Sequence, residues 1–207
     1  MILKKTGPHL LAILAFVIID LAYFSPVFDG LRMLPVDNQQ NIGSGREARY
    51  FLEKTGEQTL WTNSVFSGMP TYHVSITYPS NICTHIIDFF KQFPLPMGYV
   101  LLYMISYYIM FSCMSAGPLI SFLGAIAVSF SSYNFIILET GHNTKALAIA
   151  FAGPVMGGLF LILRGKYLWG GFVAALAIAL DLRAKHIQIT YYLFIIIAIL
   201  LIVELIY

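Results

Sequence analysis

The sequence predicts an all-α integral membrane protein with about six transmembrane helices and a large, partly helical first extracytoplasmic loop. Three observations predict it. Apolar residues make up 58% of the 207 and charged residues only 11%, and the mean hydropathy is +0.78. The apolar residues are gathered into six runs, at 8–28, 98–115, 118–138, 146–163, 167–182 and 188–206. Five of these approach the roughly 17–25 residues a spanning helix requires, and the fifth run is the short one. A water-soluble domain of this length has no interior large enough for so much apolar surface. Inside lipid each backbone amide must be satisfied within its own segment, so the runs are expected as helices.

The elements follow in chain order. Lys4 and Lys5 precede the first run in the manner of a signal peptide. Tyr23-Phe24-Ser25-Pro26 stands where a small-x-small cleavage site belongs, so the run reads as a retained anchor. Asp20 lies within it. A carboxylate in a bilayer costs a few kcal/mol, so Asp20 faces other helices or a polar cavity, as a relay or, by expectation, a structural partner. Ser129, Ser131, Ser132 and Asn134 of the third run are its expected hydrogen-bonding partners.

Residues 29–97 form the first loop. Ser44-Gly45-Arg46-Glu47 has the form of a capping box and predicts a short helix to Thr55, with Gly56 as its stop. A second helix is expected from Asn81 to Gln92, with Ile82, Ile86, Phe89 and Phe90 on one face that lies on the membrane surface. Trp61-Thr62-Asn63-Ser64 and Ser67-Gly68-Met69-Pro70 read as ordered loop. Cys83 falls in a polar stretch and Cys113 in an apolar run, which argues against a disulfide, and no cysteine spacing suits a metal. His9, His73 and His85 carry no pattern. Tyr107-Tyr108 and Tyr191-Tyr192 read as span packing or an interfacial belt.

In the later spans Pro118 suits a helix first turn. Pro154, with Gly153, Gly157 and Gly158, predicts a kink and a close helix contact. With a cytoplasmic N-terminus, Lys4, Lys5, Arg164 and Lys166 lie inside and Lys145, Arg183 and Lys185 outside, four against three. A net charge of +2, scattered along the chain, excludes a nucleic-acid partner. The sequence stops at Glu204-Leu205-Ile206-Tyr207, at the end of the sixth run and with no polar tail, as in an interrupted chain, and the whole of 1–207 is expected to form one polytopic membrane domain.

Three groups can carry chemistry. Asp37, in Pro35-Val36-Asp37-Asn38-Gln39-Gln40, is a general base on a hydroxyl, a cation ligand, or a solvated loop acid in an Asx-turn. Glu139-Thr140-Gly141-His142-Asn143-Thr144-Lys145 sets Glu139 and His142 three apart, where both can aim at one divalent ion. Lys145 suits a phosphate, and the alternative is an ordinary hydrophilic loop. Asp181-Leu182-Arg183-Ala184-Lys185-His186-Ile187-Gln188 holds an i,i+4 Asp181–Lys185 pair. It also carries positive charge where such charge is sparse, which suits an anionic lipid headgroup or a lipid-linked phosphate.

An N-in first span, a large external loop with an early Asp, the segment Leu60-Trp61-Thr62-Asn63 to Gly68-Met69-Pro70, and then short-looped spans resemble the YfhO-type membrane proteins of the GT-C superfamily of polytopic glycosyltransferases. Phe130-Ser131-Ser132-Tyr133, Glu139 to Lys145, Arg164-Gly165-Lys166-Tyr167 and His186 to Tyr192 look like the form found in Bacteroidetes members. The resemblance covers essentially the whole chain, and its specificity lies in motif order and spacing. It implies transfer of a sugar from a polyprenyl-phosphate carrier to an extracytoplasmic acceptor, in a bacterial inner membrane. Asp37 would be the catalytic group, and Glu139 with His142 the metal ligands, the metal being a divalent ion. Arg183, Lys185 and Lys145 would hold the carrier phosphate, and Trp61, Asn63, His186 and Gln188 would contact sugar or acceptor. Asp37-Asn38 departs from the two adjacent acids of many relatives. Family members are longer, so the chain corresponds to their N-terminal portion, with further transmembrane helices as partners beside lipid. The competing readings are a transporter or lipid-handling protein, which would keep its polar groups near mid-membrane, and a noncatalytic envelope assembly factor that docks through 29–97.

Overall fold

The computed structural model describes residues 2–74 and 80–206. The charged groups of Lys4 and Lys5, the side chain of His73, and Tyr207 lie outside what is described. The described chain is helical, with one two-stranded ribbon. Helix α1 (Ile2–Tyr23) leads through a 3-10 turn at Ser25–Val27 into α2 (Val36–Ser44) and α3 (Arg46–Thr55). Strands β1 (Trp61–Thr62) and β2 (Met69–Pro70) pair antiparallel, Trp61 opposite Pro70 and Thr62 opposite Met69. Then come α4 (Ile82–Lys91), α5 (Met97–Cys113), α6 (Pro118–Ser129), α7 (Ser132–Thr140), α8 (Asn143–Leu163), α9 (Tyr167–Arg183) and α10 (Ile187–Ile206).

Among the described residues three helices are long and apolar enough to cross a membrane: Thr6–Tyr23 within α1, and α8 and α10. Helices α6 and α7 reach that length and apolarity only together, bent by 46° at Phe130-Ser131, in the form of a broken span or a re-entrant loop. The sequence pattern reads through that break because both halves are apolar. The backbone breaks there because Ser131 is extended ahead of α7 and Asn134 turns back, its amide donating to the carbonyl of Val128 at 2.8 Å. Helices α5 and α9 each have 17 residues, about 25 Å at 1.5 Å per residue, which is short of a hydrocarbon core of about 30 Å.

Helix α5 is the hub, packed on α1, α4, α6 and α8. Val100, Tyr103 and Met104 are fully buried. Phe16 of α1 is buried where it stacks on Phe122 of α6 and meets Tyr108 edge-on. The glycines of α8 set its distances. A Cβ on Gly158 would lie 2.6 Å from the Ala174 nitrogen and 2.8 Å from the Gly170 carbonyl of α9. Helices α8 and α9 therefore touch backbone to backbone, the small-residue contact expected between helices in lipid. Helix α8 runs unbroken through Pro154, and Pro118 sits in the first turn of α6 as expected.

Several expectations need correction. Helix α3 ends at Gly56 in the left-handed conformation, φ +74°, as read. The capping box does not form. Ser44 closes a separate helix, α2, with its hydroxyl donating to the Gln40 carbonyl. Glu47 turns away to β1, where its Oε2 accepts from the Thr62 hydroxyl and, at 2.9 Å each, from the Asn63 and Ser64 amides. The carboxylate thus organises the ribbon instead of a helix end. Those bonds, the Thr62 hydroxyl first, hold Glu47 below the usual carboxylate range. Helix α4 is capped by the Asn81 side chain. It buries Cys83, Thr84 and Ile87 against the helices and leaves Ile82 and Phe89 of the opposite, apolar face exposed, as a face lying on a membrane surface would be. Cys83 is therefore helical and buried, and both cysteines are free.

Asp20 is buried, but its expected partners bond elsewhere. Ser129 donates to the Ala125 carbonyl, Asn134 to those of Val128 and Ser129, and Asp20 Oδ1 has no hydrogen-bond partner among the described residues. His9 and Tyr108 form a 2.8 Å hydrogen bond between α1 and α5. The Asp181–Lys185 pair fails because α9 ends at Arg183 and Lys185 is left-handed, φ +63°. Asp181 instead accepts from Thr190 at 2.6 Å.

Candidate functional site

One turn decides the site. Between α7 and α8, Gly141 takes φ +93°, and a Cβ there would lie 2.8 Å from Pro35 Cβ and 3.2 Å from both the Asn38 nitrogen and Asp37 Cβ. Only glycine combines that conformation with that approach. It seats the first turn of α2 directly on the α7–α8 turn, joining segments more than 100 residues apart. Two side-chain bridges follow. Asp37 Oδ2 lies 2.8 Å from His142 Nε2, and Asn143 Nδ2 donates to Asn38 Oδ1 at 2.7 Å.

These residues line a polar cleft of about 380 Å³ with Asn41, Gly141, Thr144, Lys145, His186 and Gln188. Lys145 sits on the first turn of α8 with its ammonium 5.3 Å from the centre of the Tyr133 ring, in cation–π range. His186, from the turn before α10, places Nδ1 3.3 Å from the Thr144 hydroxyl. Burial, then the charges of Lys145 and His142, push its pKa down. That shift favours the neutral, hydrogen-bonding ring of His186, beside the Lys145 side chain in the same cleft. Gln188 donates to the Tyr192 hydroxyl at 2.8 Å.

A second cleft, of about 710 Å³, opens beside the first and is mostly apolar. Its wall includes Phe24, Val27, Leu31, Leu34, Val36 and Phe135, with Arg32 and Glu139 as its charged members. The two clefts share a ridge. Val36 faces one and Asp37 the other, and likewise Glu139 and Gly141.

No known protein family, curated protein or solved structure matches the chain.

Of the residues picked from sequence, Asp37, His142, Lys145, His186 and Gln188 meet at the polar cleft. The others do not. Glu139 lines the apolar cleft, apart from His142, and no group of three His, Cys, Asp or Glu suited to a metal occurs among the described residues. The left-handed Gly141 stands between the two side chains, Glu139 lining one cleft and His142 the other. Arg183 donates through Nε to the Thr84 hydroxyl at 2.8 Å, tying α9 to α4. Lys185 donates to the Tyr72 carbonyl, and burial, Arg183 and Lys91 push its pKa down to about 8. Both cations brace the loop against the helices. Trp61 and Asn63 bond each other at 3.2 Å in the ribbon and lie outside both clefts. Sequence reasoning missed Asn38, Asn41 and Asn143 as lining groups. The signal for Asn38 was its place beside Asp37, and for Asn143 its place beside His142.

Proposed function

We propose that this chain forms a membrane glycosyltransferase module of the GT-C kind, resembling the YfhO-type proteins, that moves a sugar from a polyprenyl-phosphate carrier to an extracytoplasmic acceptor. All six apolar segments cross a bacterial inner membrane, with the N-terminus cytoplasmic and 29–97 outside. The short α5 and α9 are completed at their ends by the interfacial loops.

One observation carries this reading. A polar cleft holding Asp37, His142, Lys145 and His186 shares a ridge with a larger apolar cleft at the same end of the helices. The donor has the same two parts, an isoprenoid chain joined to a sugar phosphate. The chain lies along Phe24, Val27, Leu31 and Phe135. The phosphate bridges to Lys145 and to the neutral His186. The sugar then faces Asp37 and His142, the acid–base pair of the cleft. Arg183 and Lys185 are engaged in protein contacts and serve as braces, so the carrier phosphate falls to Lys145. A transporter would gather its polar groups near mid-membrane. Here they gather at helix ends, which favours interfacial chemistry.

The test is binding and transfer by the purified full-length protein in lipid nanodiscs. Polyprenyl phosphate should bind, and Lys145→Ala should weaken binding about tenfold, the loss of one charge-assisted contact of about 1.4 kcal/mol. Equal binding of polyprenyl phosphate and the uncharged polyprenol would overturn the assignment.

A further inference from the structure

The geometry points to His142 as the group that takes the acceptor's proton, with Asp37 as its positioning partner, and to a sugar or polyol hydroxyl as the acceptor. This inference rests on the transfer reading above and names the proton's route and the acceptor class for that same site.

His142 is held from both sides. Its amide donates to the Ile137 carbonyl at 3.1 Å, and its carbonyl accepts from Ala146 at 3.0 Å. The ring has one partner, Asp37 Oδ2 on Nε2 at 2.8 Å, and Nδ1 has none among the described residues. A carboxylate on Nε2 requires the proton there, which leaves the Nδ1 lone pair to act as base. Half of the imidazole side chain is exposed along the cleft. Asp37 is held against His142 by the Gly141 contact and, one residue on, by the Asn38–Asn143 bridge. That is how a residue behaves whose task is to orient a ring.

The acceptor class follows from the lining. Asn38, Asn41, Asn143 and Gln188 line the cleft with carboxamides, each able to donate and accept as hydroxyl groups do, and Asn143 and Gln188 keep hydrogen-bonding capacity beyond their bonds to Asn38 and Tyr192. In the step, the acceptor oxygen bonds to the anomeric carbon as the bond from that carbon to the phosphate oxygen breaks. The electron pair leaves on the carrier, giving polyprenyl phosphate. The hydroxyl proton passes to Nδ1, and the resulting imidazolium is stabilised through Nε2–H by Asp37. The other charged or titratable groups lining the cleft are Lys145 on α8 and His186 before α10.

The experiment uses full-length protein in nanodiscs, undecaprenyl-phosphate glucose as donor probe and methyl glycosides as hydroxyl acceptors, with ¹⁵N spectra of labelled histidines. The wild-type spectrum should show His142 as the Nε2–H tautomer, and Asp37→Asn should mix the tautomers. His142→Gln should lower kcat by about 10²–10⁴ with KM within threefold, while its melting temperature and its His186 resonance show that it is folded. Asp37→Asn should keep a measurable fraction of activity. If His142→Gln transfers within threefold of wild type while Asp37→Asn is dead, Asp37 is itself the base and this inference is wrong, although the transfer reading stands. If the wild type neither binds undecaprenyl phosphate nor transfers, the transfer reading fails first.

Discussion

Gly141→Ala is the substitution on which the site depends most directly. The added methyl would lie 2.8 Å from Pro35 Cβ, with the Asn38 nitrogen and Asp37 Cβ at 3.2 Å. Carbon atoms settle at about 3.5–4.0 Å, so the first turn of α2 must retreat by about 0.7–1.2 Å. None of the three atoms is the tip of a flexible side chain that can swing aside. Two costs add. A non-glycine residue at φ +93° costs about 1–2 kcal/mol, and forcing the packed segments apart costs about 1–3 kcal/mol. Gly165→Ala separates them, because Gly165 has φ +78° and nothing within 4 Å of its added Cβ. It should lower the melting temperature in detergent by about 2–4 °C for each kcal/mol of backbone cost alone. Gly141→Ala should lower it about twice as far or more. The same retreat lengthens the 2.8 Å Asp37–His142 bond, and misplacing a catalytic group by about 1 Å costs on the order of 10²-fold in rate. The assay is paired thermal melting with the ¹⁵N resonance of His142. Equal melting temperatures for the two variants and an unmoved His142 resonance would refute the claim that Gly141 sets this contact.

Glu47→Gln should loosen the ribbon, read as faster amide exchange at Asn63 and Ser64 with α3 unaffected. Because folding lowers the Glu47 pKa, its contribution is present above the ordinary value of 4.5 and is lost as the pH falls through the lower, folded value. Acid below that point should mimic the mutation, and pH-independent protection would count against it. At Lys185 the slope has the same sign, but there the lowered pKa marks a cost of burial that rising pH relieves. Its pKa near 8 means the unfolded chain holds more protons between about 8 and 10.5, so stability gains slightly with pH across that window. Amine acetylation at Lys185, followed by mass spectrometry, should reach half its maximum near pH 8, and a midpoint above 10 would be the contrary result. Asp20→Asn should leave the melting temperature unchanged or raised, since Asp20 Oδ1 is buried without a partner among the described residues and a carboxylate is costlier in a bilayer than an amide. A loss of several degrees would mean that Asp20 has a partner it needs.

The long apolar helices, the Gly56 stop, the Asn81–Gln92 helix and the placing of Pro118 were legible because each depends on neighbours a few residues away. Chain composition imposed lipid as solvent, and lipid imposes helices. The site was legible in parts. Asp37, His142, Lys145, His186 and Gln188 stood out as polar groups at span ends, but their company was not, since Asp37 and His142 are 105 residues apart and no local rule pairs them. Tertiary structure sent Glu139 to the other cleft through a single left-handed glycine, bound Glu47 to β1 instead of its own helix, and bent one apolar run into α6 and α7. It also took Arg183 and Lys185 out of the open cleft by giving them Thr84 and Tyr72. A sequence records which groups a chain carries and the period on which they fall. Which group meets which is decided by packing, because a hydrogen bond or close contact depends on distances of tenths of an ångström between segments that meet only when the helices assemble.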